Sequence, residues 1–187
     1  MAYEFTKYHE KGGAYHWDPK LAGPEYMAHA ENVAEWIKEN PVLDVGGGDG
    51  YICSRIRATG KHCLVVDNLP YAIELATEKG QPAIQGDIMG LPPSVIQRKW
   101  GAIYLGDIIE HVDQPEECIK YLSSYSDVIY IATPPADPSK GFNSKFHTME
   151  FTPQSLEMMM KNCGWVATKV LVDNCRIFAR FIKNETP

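Results

Sequence analysis

The sequence predicts an α/β fold: a Rossmann-like, doubly wound sheet of seven strands with an antiparallel last strand, preceded by an N-terminal helical lid. Short apolar segments alternate with amphipathic ones from residue 41 onward, which is typical of a largely parallel sheet flanked by helices. A run of glycines directly follows the first apolar segment, and Asp173-Asn174 separates the last two strand-like segments as a two-residue hairpin turn. We therefore expect a lid segment and helix over residues 1–40 and the sheet-forming domain over residues 41–187.

The N-terminal segment changes character at Pro24. Residues 1–24 are rich in aromatic residues, glycine and proline, and we expect them to be irregular. After Pro24 the pattern becomes helical, because four apolar residues recur at the spacing of one helix face: Tyr26, Ala30, Val33 and Ile37. Asn40-Pro41 is expected to end this helix, since a residue that precedes proline is disfavoured in the helical conformation.

The remaining elements follow in order along the chain. Strands are expected at residues 41–45, 62–67, 83–85, 102–105, 127–131, 165–172 and 175–182. Helices are expected at residues 50–59, 70–79, 115–122 and 153–163. Asn68 and Thr152 are suited to cap two of these helices, and glycines at 60, 80 and 164 are suited to end three of them.

Composition excludes several classes of protein. Hydrophobic residues make up 44% and charged residues 22% of the 187 residues, as in an ordinary folded protein. No apolar stretch approaches the roughly 18 residues of a membrane span, and the N-terminus lacks an apolar signal segment. The net charge of −6 disfavours a nucleic-acid partner, because such binding depends on basic residues. Five scattered cysteines without a C-x-x-C pair indicate a reducing, cytoplasmic environment.

The most informative motif is the glycine loop, which runs from Gly46 to Gly50 between a buried strand and a helix. Glycines allow a tight turn and a close approach of the backbone to a ligand. The loop would present that ligand to a helix N-terminus beyond the carboxyl ends of the strands. The dinucleotide pattern G-x-G-x-x-G fails in both registers, because Tyr51 and Cys53 stand where its last glycine is needed.

The spacing that fits is D-x-G-x-G-x-G, which begins at Asp44. A carboxylate beside the loop would repel a pyrophosphate but attract a cationic amino-acid group, directly or through water. S-adenosylmethionine carries both an ammonium and a sulfonium group. The motif therefore favours S-adenosylmethionine over a nucleoside diphosphate.

With these motifs, the chain resembles the class I S-adenosylmethionine-dependent methyltransferases over roughly residues 26–183, as a small single-domain member. The segments that carry the resemblance are VLDVGGGDG, VVDNLP, QGDIMGLP, YLGDIIEHVDQPEE and HTMEFTPQSLEMMMKNCGW, in the family's order. A Pro-Gly-Gly turn before the fifth strand is missing, and YLSSYSDVIYI stands in its place. That turn is structural, so its loss leaves the predicted cofactor site intact.

The resemblance implies a cofactor-binding role for ten residues. Asp44, Gly46, Gly47 and Gly48 would receive the amino-acid part, and Asp67 with Asn68 would receive the ribose hydroxyls. Asp87 would meet the adenine amino group, Ile88 would pack on the ring, and Gly106 with Asp107 would pass the methionine part. The implied cofactor is S-adenosylmethionine, with S-adenosylhomocysteine as its product.

Two histidines are candidates for the chemistry of methyl transfer, in which the enzyme orients the nucleophile and, where needed, removes a proton. His111 lies just past the fourth strand, and His147 lies in the loop of residues 132–151 after the fifth. Histidine titrates near neutral pH, so either residue could act as general base. A packing role for His111 and a solvated position for His147 are the structural alternatives.

A second interpretation of the same residues involves a metal. Asp107, Glu110 and His111, together with His147, are similar to the metal-binding set of small-RNA 2′-O-methyltransferases, except that Asp107 replaces a glutamate. The acidic chain has no added RNA-binding segment, so we predict no metal and retain metal-assisted methylation of RNA 3′ ends as an alternative. A non-catalytic regulatory protein that binds the cofactor is a further alternative.

The expected acceptor is a small molecule that is methylated on oxygen or nitrogen. Tyr15 and Trp17 in the lid offer flat, amphipathic rings for substrate binding, although Trp17 could equally pin the N-terminal segment to the core. The sequence predicts neither the identity of the acceptor nor the oligomeric state.

Overall fold

The computed structural model describes residues 7–136, 146–172 and 175–184. The chain divides into two compact units, residues 1–97 and residues 98–187. Together they supply the seven strands of the predicted Rossmann-like sheet, and the last strand is antiparallel as expected. The predicted boundary between a lid and a sheet-forming domain at residues 40 and 41 stays a prediction.

The first unit contains three parallel strands in the order β3-β2-β1. They are β1 (Val42–Val45), β2 (Cys63–Asp67) and β3 (Ala83–Gln85). The helices of this unit are α1 (Lys7–Lys11), α2 (Pro19–Ala22), α3 (Pro24–Trp36), α4 (Tyr51–Ala58), α5 (Pro70–Glu78) and α6 (Pro93–Ile96). All four residues of β1 are buried, which is why its sequence is an apolar run with one acid rather than an alternation.

The second unit contains the strands β4 (Ala102–Gly106), β5 (Val128–Thr133), β6 (Trp165–Val172) and β7 (Ile177–Lys183). Strand β5 pairs in parallel with β4 and antiparallel with β7, which in turn pairs antiparallel with β6. Its helices are α7 (Pro115–Leu122) and α8 (Pro153–Asn162). The predicted hairpin turn, Asp173-Asn174, lies outside the described residues.

The core residues confirm the predicted helix faces. In α3, Ala30 and Val33 of the predicted face are buried. In α8, the spacing i, i+3, i+4 and i+7 of Leu156, Met159, Met160 and Cys163 predicts one buried face, and the first three of these residues are buried. Thr152 caps α8 reciprocally with Ser155, and Gly164 follows that helix with a φ of 84°. Met159 and Met160 of α8 therefore serve packing at the core, whereas Met158 between the predicted positions is 63% exposed.

Three details of the predicted elements are wrong. The stretch before Pro24 is not irregular throughout, because it contains α1, a 3-10 turn over Tyr15–Trp17, and α2 capped by the side chain of Asp18. These helices are too short to show a period in the sequence. Helix α3 ends at Trp36, before Asn40-Pro41. Asn68 does not cap α5, because Leu69 occupies the cap position and donates its N–H to Asp67.

Within the described residues, no helix combines the length and the apolar character that a membrane span requires.

Candidate functional site

The glycine loop has the backbone conformation that its sequence requires. Gly46, Gly48 and Gly50 have φ values of 74°, 56° and 76°, a region that side-chain-bearing residues rarely adopt. Gly47 is needed for a different reason, since a Cβ there would lie 2.7 Å from Asp44 Oδ2. The turn between β1 and α4 therefore brings its backbone against the carboxylate that starts the motif.

Asp44 is a buried carboxylate on β1 beneath this loop, with 1% of its surface exposed. Its Oδ2 atom has no hydrogen-bond partner among the described residues. Burial and, to a smaller extent, the negative charges of Asp67 and Asp49 raise the pKa of Asp44 to about 7, against the opposing effect of a hydrogen bond from the Cys53 backbone. One oxygen of Asp44 is thus buried without a hydrogen bond from the described part of the chain, so a cation nearby would stabilise its ionised form.

Asp67 ends β2 and is joined to the loop. Its Oδ2 accepts a hydrogen bond from the Gly48 N–H at 2.9 Å, and its Oδ1 accepts one from the Leu69 N–H at 2.9 Å. Burial raises the pKa of Asp67, and the backbone hydrogen bonds oppose this shift. The predicted ribose acid thus also fixes the geometry of the loop.

The other predicted cofactor residues of the first unit lie at the carboxyl ends of β2 and β3. Asn68 is exposed, and its carbonyl accepts a hydrogen bond from the Gln85 side chain at 3.2 Å. Asp87 closes a tight turn, because its Oδ1 accepts the Met89 N–H at 2.8 Å and its carbonyl accepts the Gly90 N–H at 3.0 Å. Ile88 within that turn is partly exposed.

The N-terminal segment contacts the glycine loop through a residue that sequence reasoning missed. Asp49 is fully buried, and it interacts with Tyr8, His16 and Trp17. Of the two predicted substrate residues, Tyr15 is 5% exposed and packs on Tyr8, whereas Trp17 is partly exposed. The one feature of the sequence that could have indicated this role is that Asp49 is the single acid among the glycines of residues 46–50.

In the second unit, Asp107 follows Gly106, the last residue of β4, and adopts a φ of 53°, which is unusual for a residue with a side chain. Arg176 holds its carboxylate with two bonds, Nε to Oδ1 at 3.2 Å and Nη2 to Oδ2 at 2.5 Å. This fork-shaped pairing fixes the position of the Asp107 carboxylate. Arg176 was not predicted, because it follows β4 by some 70 residues in sequence.

Glu110 is the buried acid of this second cluster, with 1% of its surface exposed. Its Oε2 accepts a hydrogen bond from the Thr133 hydroxyl at 2.9 Å, and its Oε1 has no partner among the described residues. Burial and, to a smaller extent, the negative charge of Asp107 raise the pKa of Glu110 to about 7, although the hydrogen bond from Thr133 opposes the shift.

The two predicted catalytic histidines lie together, with ring centroids 5.0 Å apart. His111 Nδ1 is 3.0 Å from the Phe146 carbonyl, and His147 Nδ1 is 2.8 Å from Glu150 Oε1. A carbonyl can only accept, so Nδ1 of His111 is the donor in this hydrogen bond. One ligand atom each from Glu110, His111 and His147 lies within 4.8 Å of the others.

The segment that carries His147 is fixed on the 3-10 turn over Ile109–His111. The N–H groups of Thr148 and Met149 lie 2.9 Å and 3.2 Å from the Glu110 carbonyl. A groove of about 820 Å³ begins beside this segment, and Met149, Glu150 and Phe151 are among its lining residues. The His147–Glu150 pair therefore borders an open groove.

Comparison with known proteins identifies the family. The family model described as "Methyltransferase domain" matches residues 28–170. The chain belongs to this methyltransferase family. The predicted class I S-adenosylmethionine-dependent methyltransferase is thereby confirmed, and S-adenosylmethionine is the cofactor of this class. A search of curated proteins finds no match.

Solved structures of methyltransferases share the fold. The DhpI–SAH complex is 17% identical with a TM-score of 0.73, and the alignment covers 97% of this chain and 95% of that one. Magnesium protoporphyrin IX methyltransferase from Synechocystis PCC 6803, with bound SAH, is 14% identical with a TM-score of 0.69 and 85% coverage of both chains. The CcbJ methyltransferase from Streptomyces caelestis is 11% identical with a TM-score of 0.70, covering 87% of this chain and 90% of that one.

Proposed function

We propose that the methyltransferase binds S-adenosylmethionine on the glycine loop and transfers its methyl group to oxygen or nitrogen of a small acceptor. The observation that carries the cofactor assignment is the buried Asp44 carboxylate, whose Oδ2 has no hydrogen-bond partner among the described residues. Two more acids, Asp49 and Asp67, raise its pKa through their negative charge. Such a concentration of negative charge favours a ligand with an ammonium and a sulfonium group over one with phosphates.

The roles predicted for the individual cofactor residues of the first unit are part of this proposal. Gly46, Gly47 and Gly48 leave backbone beside Asp44 accessible to the amino-acid part of the cofactor, Asp67 with Asn68 meets the ribose, and Asp87 with Ile88 meets the adenine. A cation beside Asp44 favours its ionised form, so cofactor binding near neutral pH releases a proton from this acid. Gly106 and Asp107 remain proposed contacts of the methionine part.

The acceptor assignment rests on the second unit. The groove beside His147 and Glu150 has about 820 Å³, within the range of roughly 300–1,000 Å³ that small-molecule sites occupy. His111 and His147 would accept the proton that an oxygen or nitrogen nucleophile loses. Trp17 remains a proposed substrate contact from the N-terminal segment, and Tyr15 would support it from the buried side.

Calorimetry with S-adenosylhomocysteine tests the cofactor half of the proposal, and a labelled-methyl assay on a panel of small phenols, carboxylates and amines tests the other half. The purified chain should bind the product and methylate at least one acceptor, and His111→Asn or His147→Asn should lower kcat with little effect on product affinity. Tight binding without turnover on any acceptor would instead support the regulatory alternative. No binding at millimolar concentrations would overturn the cofactor site.

A second candidate function is metal-assisted O-methylation, and it is favoured by the cluster of Glu110, His111 and His147. The hydrogen bonds to Thr133, Phe146 and Glu150 occupy one polar atom of each of the three side chains. Outer hydrogen bonds of this kind orient metal ligands and fix histidine tautomers. A divalent ion held by these residues would bind an acceptor hydroxyl and lower its pKa.

Titration with Mn²⁺ separates the two candidates. Under the metal-assisted mechanism, wild-type protein binds one ion, Glu110→Gln abolishes binding, and a chelator removes activity that Mn²⁺ restores. Under the first mechanism, the ion does not bind and the chelator has no effect on turnover. An RNA oligonucleotide with a free 3′ end belongs in the acceptor panel as well, although the net charge of −6 disfavours it.

A further inference from the structure

Asp49 lies at the centre of the contacts between the glycine loop and the N-terminal segment. Its N–H donates to the Tyr8 hydroxyl at 3.0 Å, and its carbonyl accepts the Trp17 indole N–H at 2.9 Å. Its carboxylate accepts the His16 N–H on Oδ2 at 3.2 Å and lies 3.0 Å from His16 Nδ1 on Oδ1. Both backbone groups and Oδ2 of Asp49 therefore bond to residues 8–17, while Oδ1 lies close to the His16 ring without a hydrogen bond from any described residue.

The contact continues on the neighbouring glycine. A Cβ at Gly48 would lie 2.2 Å from the Tyr8 hydroxyl oxygen, so only a glycine allows the ring so close to the loop. The N–H of the same glycine donates to Asp67. The loop is thus held on one side by the N-terminal segment and on the other by the acid that ends β2.

Packing holds the segment in place independently of these hydrogen bonds. Tyr8 and Tyr15 form a buried cluster with Leu75 of α5, while the ring of His16 is stacked on that of Tyr26 at 4.4 Å. This packing keeps the N-terminal segment in the position from which its hydrogen bonds reach the loop. Removing a single donor should therefore weaken the tie to the loop without unfolding the segment.

We propose that Asp49 is a positioning residue, which ties residues 8–17 to the glycine loop and thereby couples the order of this segment to cofactor binding. A loop with four glycines has many conformations to lose when it receives a ligand. The tie selects one of them beforehand, so the cofactor binds more tightly to the tied form. By reciprocity, the cofactor must then protect the segment from opening. The inference rests on the cofactor site proposed above.

Trp17→Phe is the sharpest test, because it removes the indole N–H and keeps an aromatic ring. Asp18→Asn is the matched control at the next position, since Asp18 caps α2 through the Lys20 N–H and has no bond to Asp49. Binding of S-adenosylhomocysteine is measured by calorimetry. Hydrogen exchange of residues 8–17 is measured with and without that ligand.

We expect Trp17→Phe to weaken binding about tenfold, within the usual range of coupling between linked sites, and Asp18→Asn to leave it unchanged. The ligand should slow exchange in residues 8–17 of the wild-type protein and slow it less in Trp17→Phe. His16→Asn, which removes the ring contact from Asp49, should repeat both effects. Asp49→Asn keeps the side-chain size and should weaken binding at least as much.

Wild-type affinity in Trp17→Phe and His16→Asn would overturn the inference while leaving the cofactor site intact. Exchange in residues 8–17 that the ligand does not change would do the same. Tighter binding in these variants would also overturn it, because the segment would then obstruct the loop. A purely structural role would lower the melting temperature of the variants and leave both readouts as in the wild-type protein. If the wild-type protein itself fails to bind the ligand, it is the proposed cofactor site that fails.

Discussion

The Gly48 N–H donates a hydrogen bond to Asp67 Oδ2 at 2.9 Å and so joins the glycine loop to the end of β2 across 19 residues of sequence. The acid expected to receive the ribose is therefore also a support of the loop expected to receive the amino-acid part. This double role links the two halves of the proposed cofactor site within the first unit.

Asp67→Asn should weaken binding of S-adenosylhomocysteine by about 1–3 kcal/mol, the usual value of a hydrogen bond to a charged group. Calorimetry at pH 8 measures the effect. Asp127→Asn, at an exposed acid of the second unit, is the control and should bind as the wild-type protein does. Unchanged affinity in Asp67→Asn would contradict the ribose assignment.

The buried Asp44 makes the stability of the protein depend on pH. Its pKa is about 7 in the folded chain against an ordinary value of 3.8, so the folded state holds a proton that the unfolded state releases between these values. The protonated Asp44 contributes its full share to the free energy of unfolding below about pH 4. This contribution is lost progressively as the pH rises from about 4 through 7. At its full extent it amounts to about 4 kcal/mol.

Asp44→Asn should remove this contribution, so the variant should lose less stability than the wild-type protein between pH 5 and pH 8. Urea unfolding at several pH values, without cofactor, measures the difference between the two proteins. The variant should also bind the cationic cofactor more weakly than the wild-type protein at pH 8. Parallel stability curves for the two proteins would show that Asp44 keeps its ordinary pKa.

Gly47→Ala should reduce both stability and cofactor affinity, because the added Cβ would lie 2.7 Å from Asp44 Oδ2. Overpacking of this kind costs about 1–3 kcal/mol. Gly90→Ala is the matched control, since its nearest neighbour would be Asp87 Cβ at 4.0 Å. Thermal unfolding with and without S-adenosylhomocysteine distinguishes the two variants, and equal effects would argue against close packing at Gly47.

Thr133→Val should destabilise the protein by about 1–3 kcal/mol, because it removes the hydroxyl that donates to the buried Glu110 Oε2. Thr133→Ser keeps the donor and should restore most of the loss that the hydrogen bond accounts for. Urea unfolding compares the three proteins. If serine and valine behave alike, the methyl group rather than the hydroxyl determines the stability at this position.

The fold class, most of the strands and the first cofactor motif could be predicted from the sequence alone. These features are local: β1 is an apolar run, the glycine pattern excludes a dinucleotide fingerprint, and capping residues such as Thr152 lie beside the helices that they begin. Local patterns of this kind are set by neighbouring residues along the chain, so they can be identified without a structure.

Contacts between residues that are far apart in sequence could be identified only in the folded structure. The tie of Asp49 to Tyr8, the fork between Asp107 and Arg176, and the burial of Glu110 beneath Thr133 join residues 23 to 69 positions apart. The short helices before Pro24 likewise have too few residues to show a period; α1 buries Tyr8, and α2 is capped by the Asp18 side chain. Contacts and burial depend on how the chain returns on itself, and residue spacing in one sequence does not contain that information.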